Sequence, residues 1–592
     1  MFLRCTQRVK DGKPHRYWSI VENRRNAQRQ VVQRQVLYLG EINDTQKAAW
    51  VRSIEVLETG NEQWHQVALF PEDREAPELA QQVVHVRLDR IRIQHARQWG
   101  GCWLACELWE QLQLDRFWRT RLPVSREGTD WLAVLKILVS YRLLDPGSEW
   151  RLHREWYGHS AIGELVGQGG ADVALQSLYR CLDKLVAHKK ELFRFLTERW
   201  RDLFQAGYDV LLYDLTSTYF ECDPPEAGKR RHGYSRDKRP DCVQVIIALI
   251  VTPSGFPIAY EVLAGNTSEK ITLKEFLDKI ETQYGKVNRT WVMDRGIPTE
   301  ETLQQMRSAK TPVSYLVGTP RGRLSKLEKA FLQQPWQQVK ESVEVKLVSK
   351  DGELYILARS QGRQGKERGM RRRRLKRLWQ RLHELQGQKL TRDELLLKLG
   401  AAKADAGNAY RLVEVQVPPA RVADKTEFVT FTFALRKDKL RVVRRHEGHY
   451  LLRSNLSVED PAVLWERYLL LTEIEAVFRT LKTDLVLRPI FHQTDDRIEA
   501  HIFVAFLAYC LYVTLQQRTR ALAPGLTSRA VLEKMSAIQM VDVCLPTTDG
   551  RLLILPRYTQ PEPDQQLLLQ RLHLTLPPQP PPRISQSEAD SL

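Results

Sequence analysis

Three carboxylates stand in sequence contexts that would hold them in fixed positions. Asp214 follows the apolar run VLLY and Asp294 follows WVM, so we predict that each closes a buried strand. Strand ends at the carboxyl edge of an α/β sheet are where active-site groups gather. A carboxylate at such a place costs folding free energy unless it is paired or binds a cation. The two aspartates together therefore predict a metal-binding site.

Glu475 is the third carboxylate, and it lies in YLLLTEIEAVFRTLKTDL, where apolar residues recur at helical spacing. The apolar stripe of this predicted helix consists of Ile474, Val477, Phe478, Leu481 and Leu485. Tyr468, Glu475 and Lys482 are seven residues apart, which is two helical turns, so we expect them along one edge of the stripe. Arg479 lies one turn from Glu475, whereas Glu473 points elsewhere and is the weaker candidate.

A site made of Asp214, Asp294 and Glu475 favours hard divalent cations. All of its ligands would be carboxylate oxygens, which Mg²⁺ and Mn²⁺ prefer, and we find no nucleophilic Ser or Cys motif. Two such ions about 3.5–4 Å apart can activate water or a 3′-hydroxyl and neutralise the leaving oxygen during attack on a phosphodiester. We therefore predict two-metal chemistry, with neighbouring cations positioning the nucleic acid strand.

Each of these residues also has an ordinary explanation when it is taken alone. An Asp after a strand more often caps the next turn, and a helical Glu more often lies on the surface. For His501, packing or capping is the better interpretation, and for Trp336 and Trp379 it is core packing rather than stacking on a base. The metal hypothesis depends on the three carboxylates occurring together.

The positive charge is concentrated in two segments. The chain has 592 residues and a net charge of +18, of which residues 1–40 carry +7 and residues 361–382 carry +9. The second segment includes the run Arg371, Arg372, Arg373 and Arg374. Such segments favour a polyanionic partner, most plausibly DNA, although a solvated basic face without a partner is the alternative for either one.

The composition predicts a cytoplasmic protein. The first twenty residues lack the apolar block of a signal peptide. The longest apolar run, residues 502–515, has 14 residues, whereas a membrane-spanning helix needs about 20, so we expect a buried core helix there. Eight scattered cysteines without a CxxC pair argue against a disulfide scaffold or a structural zinc site.

The elements that must position the carboxylates form an α/β core interrupted by a β-rich insertion. Continuous apolar runs between 208 and 295 predict strands covered on both faces. The predicted domains are a small basic β-rich region (1–70), a helical domain and candidate DNA-binding domain (81–206), the first part of the core (207–300), the insertion with a basic helical segment at 366–386 (301–460), the second part of the core (461–560) and a disordered Pro-rich tail (575–592).

The sequence resembles the DDE transposases of bacterial insertion sequences in five elements that occur in the same order. These are Asp214 in YDLTSTYFE, the run GYSRDKRPDCVQV, GNT at 265–267, Asp294 in VMDRG, and the spacing of Tyr468, Glu475 and Lys482. The resemblance extends over roughly residues 1–545, in the branch whose β-rich insertion precedes the glutamate. One residue departs from the signature, because Leu471 stands where an Arg often precedes the glutamate by four residues; Arg467 and Arg479 are the cations available to replace it.

The resemblance implies a ribonuclease H-like core with Asp214, Asp294 and Glu475 as the metal triad. It also implies that Tyr468 and Lys482 contact the transposon end, that the partner is double-stranded DNA, and that a homodimer holds two DNA ends. The function expected is cleavage at transposon ends followed by strand transfer. A related nuclease or resolvase without strand transfer, and a DNA-binding protein that no longer cleaves, are the alternatives.

Overall fold

The computed structural model describes residues 2–10, 13–25, 31–42, 46–47, 86–168, 173–267, 289–294, 297–308, 313–319, 324–418, 428–456, 460–548 and 550–585, with single residues at 273, 277 and 280–282. The chain divides into two compact units. The first unit consists of Met1–Arg289 and Thr472–Leu592, and the second of Thr290–Leu471. Each unit is described by itself.

In the first unit the strands are β1 (Phe2–Lys10), β2 (Lys13–Arg25), β3 (Val31–Gly40), β4 (Arg92–Gln98), β5 (Val210–Phe220), β6 (Val243–Val251), β7 (Pro257–Ala264), β16 (Gln539–Pro546), β17 (Leu552–Tyr558) and β18 (Arg583–Ser585). Its helices are α1 (Gly100–Gln111), α2 (Leu114–Trp118), α3 (Trp131–Leu144), α4 (Glu149–Arg151), α5 (Ile162–Leu165), α6 (Leu175–Leu182), α7 (Lys189–Phe204), α14 (Leu471–Arg479), α15 (Asp495–Leu522), α16 (Ser528–Ser536) and α17 (Pro563–Arg571).

In the second unit the strands are β8 (Thr290–Met293), β9 (Ser314–Gly318), β10 (Gln337–Lys340), β11 (Val343–Lys350), β12 (Glu353–Ser360), β13 (Val413–Gln416), β14 (Thr432–Leu435) and β15 (His449–Ser454). Its helices are α8 (Glu300–Ser308), α9 (Leu324–Leu332), α10 (Gln361–Gln386), α11 (Arg392–Ala406), α12 (Lys437–His446) and α13 (Pro461–Leu469).

The predicted α/β class is confirmed, and the fold is consistent with a ribonuclease H-like core. In the first unit β5, β6 and β7 form an antiparallel meander, and in the second β8 and β9 pair in parallel. The sheet of the second unit is mixed, with strand order β10-β11-β12-β15-β9-β8. Since nearly every residue of β6 is buried, the prediction of a strand covered on both faces is confirmed.

The meander is tied to the longest helix of the first unit. β6 and β7 are joined by a turn in which Gly255 has φ +87°, a conformation that favours glycine. Its carbonyl oxygen accepts a hydrogen bond from the Tyr509 hydroxyl in α15 at 2.9 Å. Further along α15 the Phe506 ring stacks on Tyr260 of β7, with ring centroids 4.1 Å apart. These contacts fix the sheet against α15.

Helix α15 is apolar on all sides because it is the core of its unit. Residues 502–515 are all buried, and α3 packs along the helix, so the prediction of a buried core helix is confirmed. By length and composition α15 is the one helix among the described residues that could cross a membrane, but 94% of its apolar window is buried inside the protein. The neighbouring α3 is also almost wholly buried, which favours packing over DNA contact for this helix.

The second unit covers residues 301–460, the segment in which the β-rich insertion is predicted. Lys350 and Glu353 close the hairpin between β11 and β12, and Asp351 and Gly352 take the positive φ values that a two-residue turn requires. Helices α10 and α11 share an apolar cluster against which Trp379 packs, and Trp336 packs on a second cluster beneath β11 and β12. Core packing is therefore confirmed for both tryptophans.

The prediction of a disordered tail from residue 575 is wrong as far as residue 585. Strand β18 pairs with β17, and the preceding Pro-rich segment is bound by Tyr558, whose hydroxyl donates to the Pro577 carbonyl at 2.5 Å. The Gln579 side chain also pairs with the Tyr558 backbone. Proline carbonyls can still accept hydrogen bonds, so this composition does not prevent order. The remaining residues of the tail, 586–592, lie outside the described part.

Candidate active site

Asp214 lies in the middle of β5 and not at a strand end, so that part of the prediction is wrong. Nine residues of β5 pair with β6, with Asp214 opposite Leu249, and pairing continues through the β-favouring segment LTSTYF. The side chain is half-buried, and its Oδ1 accepts a hydrogen bond from the Leu215 amide at 2.7 Å. A carboxylate is thus fixed in the middle of a largely buried strand.

Glu475 lies on α14, whose predicted apolar stripe is buried as expected. Ile474 and Val477 flank the glutamate in the sequence and face the protein core, while Glu475 itself is exposed. Its carboxylate has no hydrogen-bond or ion-pair partner among the described residues. Glu473 forms an ion pair with Arg520 of α15 at 2.8 Å, which confirms that it points elsewhere.

The predicted single helix through Tyr468, Glu475 and Lys482 is wrong. α13 ends at Leu469, where the Leu470 amide bonds back three residues to Arg467, and Glu475 belongs to the next helix. Lys482 lies in a π-helical turn, Thr480–Asp484, closed by a bond from the Leu485 amide to the Thr480 carbonyl. Tyr468 belongs to the second unit, where its ring meets Tyr450 and Trp465. The three residues therefore do not belong to one α-helix.

Lys482 is held by a buried carboxylate of the GYSRDKRPDC run. Its ammonium lies 2.8 Å from Asp237 Oδ1, and both side chains are nearly buried. Arg488, which follows the π-helical turn, binds the same oxygen, while Asp237 Oδ2 is buried without a hydrogen-bond partner in the described structure. Burial lowers the pKa of Lys482 although the Asp237 carboxylate opposes that shift. Lys482 could contact DNA only if its ammonium exchanged the Asp237 carboxylate for a phosphate.

Arg479 is the exposed cation nearest to Glu475 along the chain. It ends α14 one turn beyond the glutamate, and its guanidinium has no polar partner in the part of the chain that the structure describes. Asp214, Glu475, Arg479 and Lys482 all belong to the first unit. This unit therefore supplies two of the predicted carboxylates and two of the predicted cations.

Asp294 belongs to the second unit. It directly follows β8, as predicted, and its side chain is exposed. The parallel pairing of β8 with β9 fixes the strand from Thr290 to Met293, all four residues of which are buried. The aspartate is thus carried at the carboxyl end of a rigid strand.

The arginine run of the second unit divides into two classes. Arg371 is almost buried and forms an ion pair with Glu447, with Nε 2.6 Å from Oε1. Arg372, Arg373 and Arg374 are exposed on α10. Since the Arg371 guanidinium is occupied inside the protein, its role here is structural, and the exposed arginines are those that can reach a DNA backbone.

A buried polar cluster in the first unit was not foreseen. Candidate ligand atoms of Glu149, His492 and His501 all lie within 4.8 Å of one another, and the Arg142 guanidinium lies 3.5 Å from His501 Nδ1. Burial and the Arg142 charge lower the pKa of His501 to about 4. Because the buried arginine already compensates the carboxylate, the cluster fits a hydrogen-bond network better than a cation site. This agrees with the interpretation of His501 as a packed histidine.

Arg488 and the partnership of Asp237 with Lys482 were missed because nothing local in the sequence signals them. Asp237 and Lys482 are 245 positions apart, and Glu149 and His492 are 343 apart. Such pairs arise from the tertiary fold, and no helical or strand periodicity reports them. The run GYSRDKRPDC was the one sequence signal that marked Asp237.

Comparison with known proteins gives matches over two segments. Residues 205–511, more than half of the chain, match the family model described as a transposase DDE domain, and residues 3–62 match the N-terminal domain of the IS1634 family transposases. A cryo-EM structure of a piggyBac transposase synaptic complex with hairpin DNA is similar at 8% identity and a TM-score of 0.34, over 74% of this chain and 79% of that chain. No curated protein matches the chain.

Proposed function

Since the chain belongs to the DDE transposase family, we propose that it cleaves phosphodiester bonds at transposon ends in a metal-dependent reaction and transfers the strand into target DNA. Family membership implies DNA as the partner. We propose further that two copies act together on two DNA ends, in the cytoplasm.

The observation that carries the proposal is the fixed carboxylate of Asp214 inside the segment that matches the transposase model. Asp214 keeps a half-buried carboxylate at a fixed position in the middle of β5, and carboxylate oxygens are the ligands that hard cations prefer. Glu475, on a helix of the same unit, adds an exposed carboxylate without a partner among the described residues. We assign Asp214, Asp294 and Glu475 as the metal ligands.

The donor chemistry of these residues fits Mg²⁺ or Mn²⁺. All three offer carboxylate oxygens alone, which hard cations prefer, and two of the side chains are exposed to ligands from solvent. A bound pair of ions would supply Lewis acidity toward the attacking and leaving oxygens. Around them Arg479 would hold the phosphate backbone, while Asp237 and Arg488 would orient Lys482 beside the strand.

Cleavage of DNA that carries the element's ends tests the assignment. Asp214→Ala, Asp294→Ala and Glu475→Ala should each abolish Mg²⁺-dependent cleavage while leaving end binding nearly intact, because the carboxylates contact ions rather than bases. The matched control is Glu473→Ala, which removes a glutamate two residues from Glu475 that is paired with Arg520, and it should cleave like the wild type.

Retained cleavage in any of the three variants would sink the assignment. A joining assay with a target plasmid then separates a transposase from a nuclease that only cuts. Binding without cleavage under any divalent ion would instead identify a DNA-binding protein that has lost its chemistry.

A further inference from the structure

Tyr234 is the most exposed large hydrophobic side chain among the described residues, at 85% relative exposure. It stands at the edge of a cavity of about 340 Å³ in the first unit. The polar groups of the lining come from Thr216, Ser217, Arg236, Asn266 and Thr267. The exposed ring offers a stacking face directly beside the polar groups of the cavity, and this combination makes the edge a candidate binding surface.

The backbone beneath this ring is held rigidly although the ring is exposed. The Gln244 side-chain amide donates to the carbonyl oxygens of Tyr234 at 3.2 Å and of Gly265 at 2.9 Å. The Arg236 amide donates to Ser217 Oγ at 3.2 Å. The segments at Gly233 and Gly265 approach so closely that a Cβ at Gly233 would overlap the Gly265 carbonyl oxygen. The backbone that carries Tyr234 is thus already held in place before a partner binds, which lowers the entropy lost on binding.

The chemistry of the cavity suits one nucleotide. Hydroxyl, amide and guanidinium groups are the usual partners of phosphate and sugar oxygens, and an exposed aromatic ring is a platform for a base. A cavity of this volume admits a nucleotide-sized group but no duplex. Ser217 lines the cavity together with Ile246, its partner on β6. Since successive side chains of a strand point to opposite faces, this pair lies on the face of β5 opposite to the Asp214 carboxylate.

We infer that this cavity receives an unpaired nucleotide at the end of a DNA strand, with its base stacked on Tyr234 and its phosphate held by Arg236 and the neighbouring hydroxyls. This inference rests on the proposed function, because it takes DNA as the partner of the chain. The base must be unpaired, since both faces of an interior duplex base are already covered by its neighbours. The cavity would therefore bind an opened or cut DNA end more tightly than intact duplex.

The test compares the affinity of the full chain for two DNA ends of the same sequence, one blunt and one with a single unpaired 3′ nucleotide, without divalent metal. Tyr234→Ala should weaken binding of the unpaired end about tenfold, as expected for loss of one base–aromatic stack, and change the blunt end less than twofold. The matched control Tyr234→Phe keeps the ring and should bind both ends like the wild type. An abasic residue at the unpaired position should remove the difference between wild type and Tyr234→Ala.

Equal losses on both ends, or no loss on either, would overturn the inference while leaving the proposed function intact. A loss in Tyr234→Phe as large as in Tyr234→Ala would overturn the stacking role, because it would assign the effect to the hydroxyl. If the wild-type chain bound neither DNA, the proposed function and this inference would fail together. Circular dichroism of each variant checks that the fold is retained.

Discussion

At the scale of single residues, the ion pair between Lys482 and Asp237 determines how the region after Glu475 is arranged. Asp237 Oδ1 receives Lys482 and Arg488 together, so one carboxylate neutralises two cations that follow α14. The sequence marked Lys482 as a DNA contact, but it could not show that its ammonium is occupied, because the partner lies in a distant loop. The carboxylate thereby fixes the chain that leaves the candidate site.

Asp237→Asn should lower the free energy of unfolding by about 3 kcal/mol, because it leaves Lys482 as a nearly buried cation without a counter-charge. Thermal melting measures the loss. Asp241→Asn is the control in the same run, since Asp241 pairs with Arg239 on the surface, and its melting temperature should equal that of the wild type. Equal melting of the two variants would show that the Lys482 pair contributes nothing to stability.

At the scale of elements, hydrophobic periodicity predicted which side chains are buried, but it did not predict where a helix ends. The stripe of α14 is buried as the 3.6-residue repeat requires, and β6 is covered on both faces as its continuous apolar run requires. The break after Leu469 has no Gly or Pro to signal it, and Leu470 keeps helical dihedral angles of φ −61° and ψ −17°. Only the pattern of backbone hydrogen bonds changes at Leu470. Tertiary packing determines this change, so local helix propensity does not predict it.

Gly265 sits where β7 ends and the GNT segment begins, and its position requires the absence of a side chain. A Cβ there would overlap the carbonyl oxygens of Gln244 and Arg231. Gly265→Ala should therefore destabilise the protein by about 3 kcal/mol, as overpacking against backbone typically does. Gly207→Ala is the matched control, because nothing lies within 4 Å of a Cβ built on Gly207, and it should melt like the wild type. A neutral Gly265→Ala would contradict the close approach.

The basic helix α10 allows stability and DNA binding to be separated. Arg371→Ala should lower the free energy of unfolding by about 3 kcal/mol, because it leaves the buried Glu447 with only the longer contact to Arg368, at 3.9 Å. Replacing Arg372 and Arg374 together by Ala should leave the melting temperature unchanged and lower the salt dependence of DNA binding, reducing the slope of log K against log salt by about 2. Titrations at several salt concentrations measure the slope, and an unchanged slope would exclude these arginines from the interface.

At the scale of the whole molecule, the buried cluster of Arg142, Glu149, His492 and His501 couples stability to pH. It joins α3, α4, α15 and the segment that precedes α15. The pKa of His501 is lowered to about 4, so between roughly pH 6.5 and 4 the unfolded chain binds a proton that the folded chain does not. Stability must therefore fall as the pH decreases through this range.

The expected loss from His501 is about 3 kcal/mol between pH 6.5 and 4. Melting temperatures recorded from pH 7.5 to 4.5 should decline more steeply for the wild type than for His501→Gln, whatever the stability of the variant at neutral pH. His95→Gln removes an exposed histidine and should keep the wild-type slope. Parallel curves for wild type and His501→Gln would show that this imidazole does not control the acid response.

For the whole molecule, the sequence predicts properties that depend on local patterns and misses contacts between distant residues. Composition and apolar runs predicted the α/β class and the central helix, because those properties depend on residues that are neighbours along the chain. Asp214 was assigned to a strand end since VLLY stops there, yet pairing with β6 extends β5 through Phe220. The Arg142 cluster depended on residues hundreds of positions apart, which no local pattern reports.

The position of α15 in the chain has a consequence for biosynthesis. Its packing partners α3 and β7 precede it, so a nascent chain leaves their apolar faces uncovered until the ribosome has released Asp495–Leu522. Translation that stops earlier yields polypeptides with a groove where this helix belongs, and uncovered apolar surface of that kind promotes aggregation. Truncated products of the gene should therefore be removed by cellular quality control and should not accumulate as folded fragments.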